Sequence, residues 1–279
     1  LSLLSSAMIT FLINGYVCLF MLREINPSNF FRWYVGISIS TEKSINISIY
    51  NIMPTETYSK LSQLHYHVDK HGKKKATKKI NKALEGTDYS LEKLKRGVAV
   101  YRHKDGSSLV NVKGTDITNK KDILSDIQLG LGLSKHDKQF SSRRKQIKEH
   151  MEKEDPNSVT LVGHSLGASI VTSAMAKSKS IRKNVKSAEV FNTGYTKEFG
   201  KELSKGLKKE DKSLLKQKLI HNHTEGDVIS TALTGSGTIG RVKKIKSDDV
   251  NPLKKHSLTN WTDSEPDHEP HTEGEIMGE

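Results

Sequence analysis

A serine hydroxyl is a poor nucleophile near neutral pH. It becomes useful when an imidazole takes its proton and a carboxylate holds that imidazole in one tautomer and steadies its cation. The chain carries those three residue types in sequence. Ser165 sits in Gly163-His164-Ser165-Leu166-Gly167, a Gly-x-Ser-x-Gly pentapeptide; Asp227 follows in Glu225-Gly226-Asp227-Val228, and His256 comes later in Lys255-His256-Ser257. A serine at the apex of such a turn needs a strained backbone, and neighbours without bulk let strand and helix pass close together. The same five residues also suit a Gly-rich turn in which Ser165 is merely a helix N-cap. Glu225 rivals Asp227 as the acid, and His221 and His223 rival His256 as the base. A developing alkoxide needs preorganised donors, and Gly114-Thr115, upstream of the pentapeptide, stands where one would come from.

These residues need elements to position them. Val159-Thr160-Leu161-Val162 predicts a buried strand running into the turn, and Ala168 to Ala176, rich in small residues, predicts a helix leaving it. Val98 to Arg102 and Ser108 to Lys113 read as two strands joined at Lys104-Asp105-Gly106, a hairpin signal. The second strand delivers Gly114-Thr115-Asp116. Ile117 to Leu133 is amphipathic, suiting a lid over an acyl pocket or a core-packed helix. A charged helix is expected over His136 to Glu154, then a strand over Ser187 to Gly194. Thr196 to Lys218 reads as a lysine-rich helical excursion, expected to be exposed. Leu219 to Ile229 reads as a short strand entering the loop that bears Asp227; Gly235 to Gly240 reads as a flexible loop, and Lys254 to Trp261 closes the ordered part.

Four regions are expected along the chain. Residues 1–52 are nearly uncharged, and the apolar run Ala7 to Leu22 reads either as a membrane anchor or as a segment upstream of a start at Met53. Membrane association follows from the first alternative and a soluble cytoplasmic protein from the second. Residues 53–96 form a Lys-rich helical flank, in which Ile80, Leu84, Leu91 and Leu94 continue at roughly helical spacing; His65, His67 and His71 lack an acidic or cysteine partner at ligand spacing, so no metal is expected. Residues 97–261 form the main domain, and the acidic tail 262–279 is expected to be disordered. Lys and Arg outnumber Asp and Glu by 45 to 32, so the surface attracts anions such as phospholipid headgroups or nucleic acid. The lone cysteine, Cys18, excludes an intrachain disulfide framework and a multi-cysteine zinc site.

The chain order serine, acid, histidine is that of α/β-hydrolases. Gly114-Thr115, Asp122 to Asp126, Gly163 to Gly167, Phe191 to Gly194, Asp227-Val228 and His256 together resemble the class 3 (fungal-type) lipase family over about residues 97–261. The resemblance implies an α/β-hydrolase fold, a mostly parallel sheet flanked by helices, here with an N-terminal helical extension. It implies Ser165 as nucleophile, Asp227 as orienting acid, His256 as base, and Thr115 with the N–H of Leu166 as oxyanion donors. It implies no cofactor and an acyl-ester substrate, lipid or otherwise; the basic surface agrees with an anionic membrane as the meeting place. Ala168 departs from the family, many of whose members have a second glycine there; Phe191 to Gly194 lacks the proline common in that strand, and the interval from Asp227 to His256 is short. A hydrolase fold without activity that serves binding, and a basic nucleic-acid-binding protein, are the competing functions.

Overall fold

The computed structural model describes residues 6–13, 16–23, 32–38, 55–114, 137–230 and 238–261. The chain divides into two compact units, Leu1–Met53 and Pro54–Glu279. In the first, β1 (Ser6–Ile13), β2 (Tyr16–Arg23) and β3 (Arg32–Ser38) form an antiparallel sheet in the order β1-β2-β3, with Ile13 opposite Tyr16 and Val17 opposite Ser38. The described residues of the apolar run Ala7 to Leu22, read as an anchor or as a segment upstream of a start at Met53, fall in β1 and β2. No helix among the described residues is long and apolar enough to cross a membrane.

The second unit begins with α1 (Thr55–His65) and α2 (His67–Leu84), the latter kinked at Gly72, whose φ of 69° lies in the left-handed region that glycine adopts without a Cβ penalty. Next come β4 (Tyr89–Leu94), β5 (Val98–His103), β6 (Ser108–Val112), α3 (Asp137–Met151), β7 (Val159–His164), α4 (Leu166–Lys177), α5 (Lys179–Asn184) and β8 (Ser187–Phe191). The chain continues through α6 (Lys197–Ser204), α7 (Lys209–Lys218), β9 (Leu219–Thr224), β10 (Arg241–Ile245) and α8 (Pro252–Lys255), ending in a 3₁₀ turn at Leu258–Trp261. One seven-stranded sheet runs β10-β9-β8-β7-β6-β5-β4; β4, β5 and β6 pair antiparallel, and β6 through β10 pair parallel. This is the α/β-hydrolase fold, a mixed, mostly parallel sheet flanked by helices.

The sheet's centre explains the apolar strand sequences. β6 and β7 are buried at every position, as expected of parallel strands covered on both faces. α4 is buried from Leu166 to Ala176, and its small residues let it lie close to β7. Around it Val110, Val112, Leu161, Ile170, Met175 and Val190 form the core. The β5–β6 hairpin turns at Gly106, φ 88°, with Ser107 N–H donating to Asp105 Oδ1 at 2.8 Å.

Three elements correct the expectations. Leu91 and Leu94 lie in β4, an edge strand, because Gly86 ends the helix with φ 77° and the chain then pairs with β5 instead of continuing the helical repeat. The lysine-rich stretch 196–218 is two helices that close the core: Phe199, Leu203 and Leu215 are buried and pack with the central cluster, while the lysines other than half-buried Lys218, whose ammonium donates to the Lys183 and Val185 carbonyls, face water. Arg241–Ile245, which carries no strand expectation, adds β10 beside β9; three of its five residues are basic, which suits a sheet edge. The stretch Ile117 to Leu133, expected as a lid or a core-packed helix, and the tail 262–279 lie outside the described residues.

Candidate active site

The parallel strands deliver their ends to one edge of the sheet, where open α/β sheets hold ligands. β7 turns into α4 at Ser165 with φ 56° and ψ −123°, a conformation that a non-glycine residue pays to adopt. The flanking glycines are required by contact. A Cβ at Gly167 would stand 2.0 Å from the Val112 carbonyl oxygen, and one at Gly163 would stand 2.7 Å from the Gly167 carbonyl oxygen. Gly114, at the end of β6, is equally close: its Cβ would come within 2.6 Å of the His164 carbonyl oxygen. The turn is thus wedged between β6 and its own helix. Ser165 does not act as an N-cap, since its side chain makes no capping bond. Its Oγ is buried and has no hydrogen-bond partner among the described residues.

Asp227 follows β9 and is fully buried. Its carboxylate accepts from the Ile229 N–H at 3.0 Å, from the Ser230 hydroxyl at 2.6 Å and from His256 Nδ1 at 2.8 Å. Burial alone would raise its pKa, but the His256 bond and charge, with the other donors, outweigh burial and hold it below the ordinary aspartate value. Because a carboxylate accepts, His256 Nδ1 carries a proton, so in the neutral ring Nε2 is the bare nitrogen; that atom is buried without a partner among the described residues. Glu225, the rival acid, is exposed. Of the rival bases, His221 is spent on Thr193 Oγ1 and the Ile239 carbonyl, each at 2.9 Å, and burial holds its pKa at about 4. His223 is buried with Nδ1 unpartnered and its pKa lowered by burial, and it makes no bond to a carboxylate among the described residues.

The loop carrying His256 is pinned at successive carbonyls. Asn260 Nδ2 donates to Lys254, Lys255 and Ser257; Asn192 Nδ2 donates to Lys255 at 3.1 Å, and His164 Nε2 donates to His256 at 2.8 Å. Asn192, φ 42°, also accepts from the Thr224 N–H at 2.9 Å, tying the base loop to the acid loop. From the other side Ser59 of α1 donates to the Leu258 carbonyl at 3.0 Å. Of these supports the sequence offered only an indirect signal for Asn192, an asparagine at a strand exit where left-handed backbone is tolerated. Thr115 lies outside the described residues. Leu166 is the first residue of α4, so its N–H has no acceptor within the helix.

Glu92, His150 and Glu154 bring ligand atoms within 4.8 Å of one another, but Arg102 donates to Glu92 at 2.8 Å and to Glu154 at 2.7 and 2.6 Å. A guanidinium already stands where a cation would. His65 binds the Lys95 carbonyl through Nε2 and Asn111 through Nδ1, and burial holds its pKa at about 4.

No family model and no curated protein matches the chain. Solved structures that align with it include a CIB-like hydrolase from Thermoplasma acidophilum, at 11% identity over 93% of this chain and 95% of that one with a TM-score of 0.30. EstE5 aligns at 12% identity over 75% of this chain and 97% of that one with a TM-score of 0.31. A fungal esterase from Rhizomucor miehei aligns at 10% identity over 75% and 95% with a TM-score of 0.30. At such identities and scores these likenesses assign no chemistry; the sheet order and the site geometry stand on their own.

Proposed function

We propose that the protein is a serine hydrolase of carboxylic esters, with Ser165 as nucleophile, His256 as general base and Asp227 as the acid that orients it. One observation carries this reading: the two atoms that would exchange a proton, Ser165 Oγ and His256 Nε2, are both buried without partners among the described residues, while His256 Nδ1 is committed to Asp227. Buried polar atoms are normally satisfied, and orphans ask for a function. In the cycle, Nε2 takes the hydroxyl proton as Oγ bonds to the acyl carbon. The tetrahedral oxyanion is met by the Leu166 N–H and by Thr115, and its collapse expels the alcohol with the proton from His256. Water then hydrolyses the acyl-serine by the same route.

The class 3 lipase resemblance supports an acyl lipid as substrate. The outer face of α2 supports an anionic lipid surface as the meeting place: Lys73, Lys74, Lys75, Lys78, Lys79 and Lys82 are exposed, opposite a buried stripe of Ala76, Ile80 and Leu84. The test is an acyl-length series of p-nitrophenyl esters together with a fluorophosphonate probe, on wild type, Ser165→Ala and His256→Ala. Turnover and labelling in wild type that vanish in Ser165→Ala are expected. Absence of both in wild type would overturn the hydrolase and leave a binding protein on the same fold. Unchanged turnover in His256→Ala would remove His256 as the base.

A further inference from the structure

Tyr66, in the junction between α1 and α2, reaches the site from outside the sheet. Its hydroxyl lies 2.8 Å from His164 Nδ1 and accepts from the Gly114 N–H at 3.2 Å, while His164 Nε2 lies 2.8 Å from the His256 carbonyl oxygen. A carbonyl can only accept, so Nε2 bears the proton of His164. Burial, first, and the neighbouring His256, second, keep the ring neutral by lowering its pKa to about 3; Nδ1 is therefore bare, and the Tyr66 hydroxyl donates into it. The order of protons has one solution: Gly114 N–H to Tyr66 Oη, Tyr66 Oη–H to His164 Nδ1, His164 Nε2–H to the His256 carbonyl. The His164 and His256 rings pack at 5.0 Å between centroids.

We propose that Tyr66 and His164 are positioning residues for the hydrolysis, joining the end of the strand that leads to Thr115, the serine turn and the base loop through one hydrogen-bond relay, half-buried at Tyr66 and buried at His164. The inference rests on the reading of Ser165, His256 and Asp227 as the reacting set. Its physical content is distance. The relay ties Gly114 and the main chain of His256 to the residue that precedes Ser165, so the donor and base sides of the site hold a common spacing from the nucleophile. Packing alone cannot do this, because a ring without the hydroxyl fills the same space and directs no proton.

Three variants separate the roles. Tyr66→Phe removes only the hydroxyl and keeps the ring that lies beneath the Lys113 ammonium at 5.4 Å. His164→Gln offers one donor and one acceptor, and His164→Leu neither. With p-nitrophenyl butyrate, Tyr66→Phe and His164→Leu are expected to lower kcat by about tenfold to a hundredfold with KM within about twofold, the scale of a small misplacement of reacting groups. His164→Gln is expected to recover most of that loss. Wild-type kcat in Tyr66→Phe, or equal losses in the two His164 variants, would overturn the relay. If wild type itself neither turns over nor labels, the hydrolase reading fails by itself, and the relay is decided by histidine ring NMR. A His164 ring protonated at Nε2, together with a His256 Nδ1 proton resonance that moves in Tyr66→Phe, sustains the coupling; an Nδ1–H tautomer of His164, or an unmoved resonance, refutes it.

Discussion

His65, His164 and His221 are buried as neutral rings, with pKa values lowered to about 4, 3 and 4 from an ordinary 6.5. In the unfolded chain each takes up a proton as pH falls through about 6.5, whereas in the folded chain each resists until about 4 or below. Between those limits the unfolded state binds more protons, so stability rises with pH and is lost on acidification. At about pH 5 the uncompensated protonation of one such histidine in the unfolded chain costs about 2 kcal/mol, and three cost about 6. Total folding stabilities are about 5 to 15 kcal/mol, so a loss of this size removes much of the margin. His150 and His223, whose pKa values burial also lowers, act in the same direction; Glu189, whose pKa burial raises, acts in the opposite one, and Asp227 exerts its own loss only below its ordinary value of 3.8. The assay is urea unfolding of wild type and His164→Gln at about pH 7.5 and 5. The three histidines are expected to cost wild type about 6 kcal/mol between the two, and the variant to show about 2 kcal/mol less dependence. Equal wild-type stabilities at the two values, or full pH dependence in His164→Gln, would refute the assignment of buried neutral rings.

Two further outcomes follow from the site's packing and polarity. Gly167→Ala would put a methyl group 2.0 Å from the Val112 carbonyl oxygen, so the turn must separate from β6; a loss of about 3 kcal/mol or more is expected in thermal or urea unfolding, at the high end for overpacking. Asp227→Asn keeps the size of the side chain but is expected to favour the wrong His256 tautomer, lowering kcat by about ten-thousandfold while the Ser165→Ala background stays unchanged. A loss under about tenfold in that variant would show that the Asp227 bond to His256 has no part in the reaction.

The serine turn was legible because its chemistry is local. A strained apex and two close approaches of backbone need glycines at 163 and 167, and the strand and helix on either side follow from residue periodicity. Asp227 and His256 were legible as types in order, and as a pair only through the family resemblance: folding alone brings two residues 29 apart in sequence to 2.8 Å, and buries Asp227 while leaving Glu225 in water. The same holds for the engagement of both ring nitrogens of His221, whose two partners come from another strand exit and a distant loop.

Periodicity alone determined where the central strands run, because β5 to β8 and the helix after Ser165 are buried strongly enough to constrain their own residues. It could not separate β4 from a helix, since leucines at 91 and 94, three apart, fit the helical period, and β4 accommodates them only through a register shift between Leu91 and Lys93 in its pairing with β5. Nor could it show that 196–218 contributes Phe199 and Leu215 to the core, because burial of a few apolar residues on a lysine-rich helix depends on what the helix meets. Above all, the sequence carried no mark on Tyr66. A tyrosine between two helices is ordinary until the tertiary structure sets its hydroxyl between Gly114 and His164, since hydrogen bonds across 48 and 98 residues of chain are decided by three-dimensional proximity and not by local pattern.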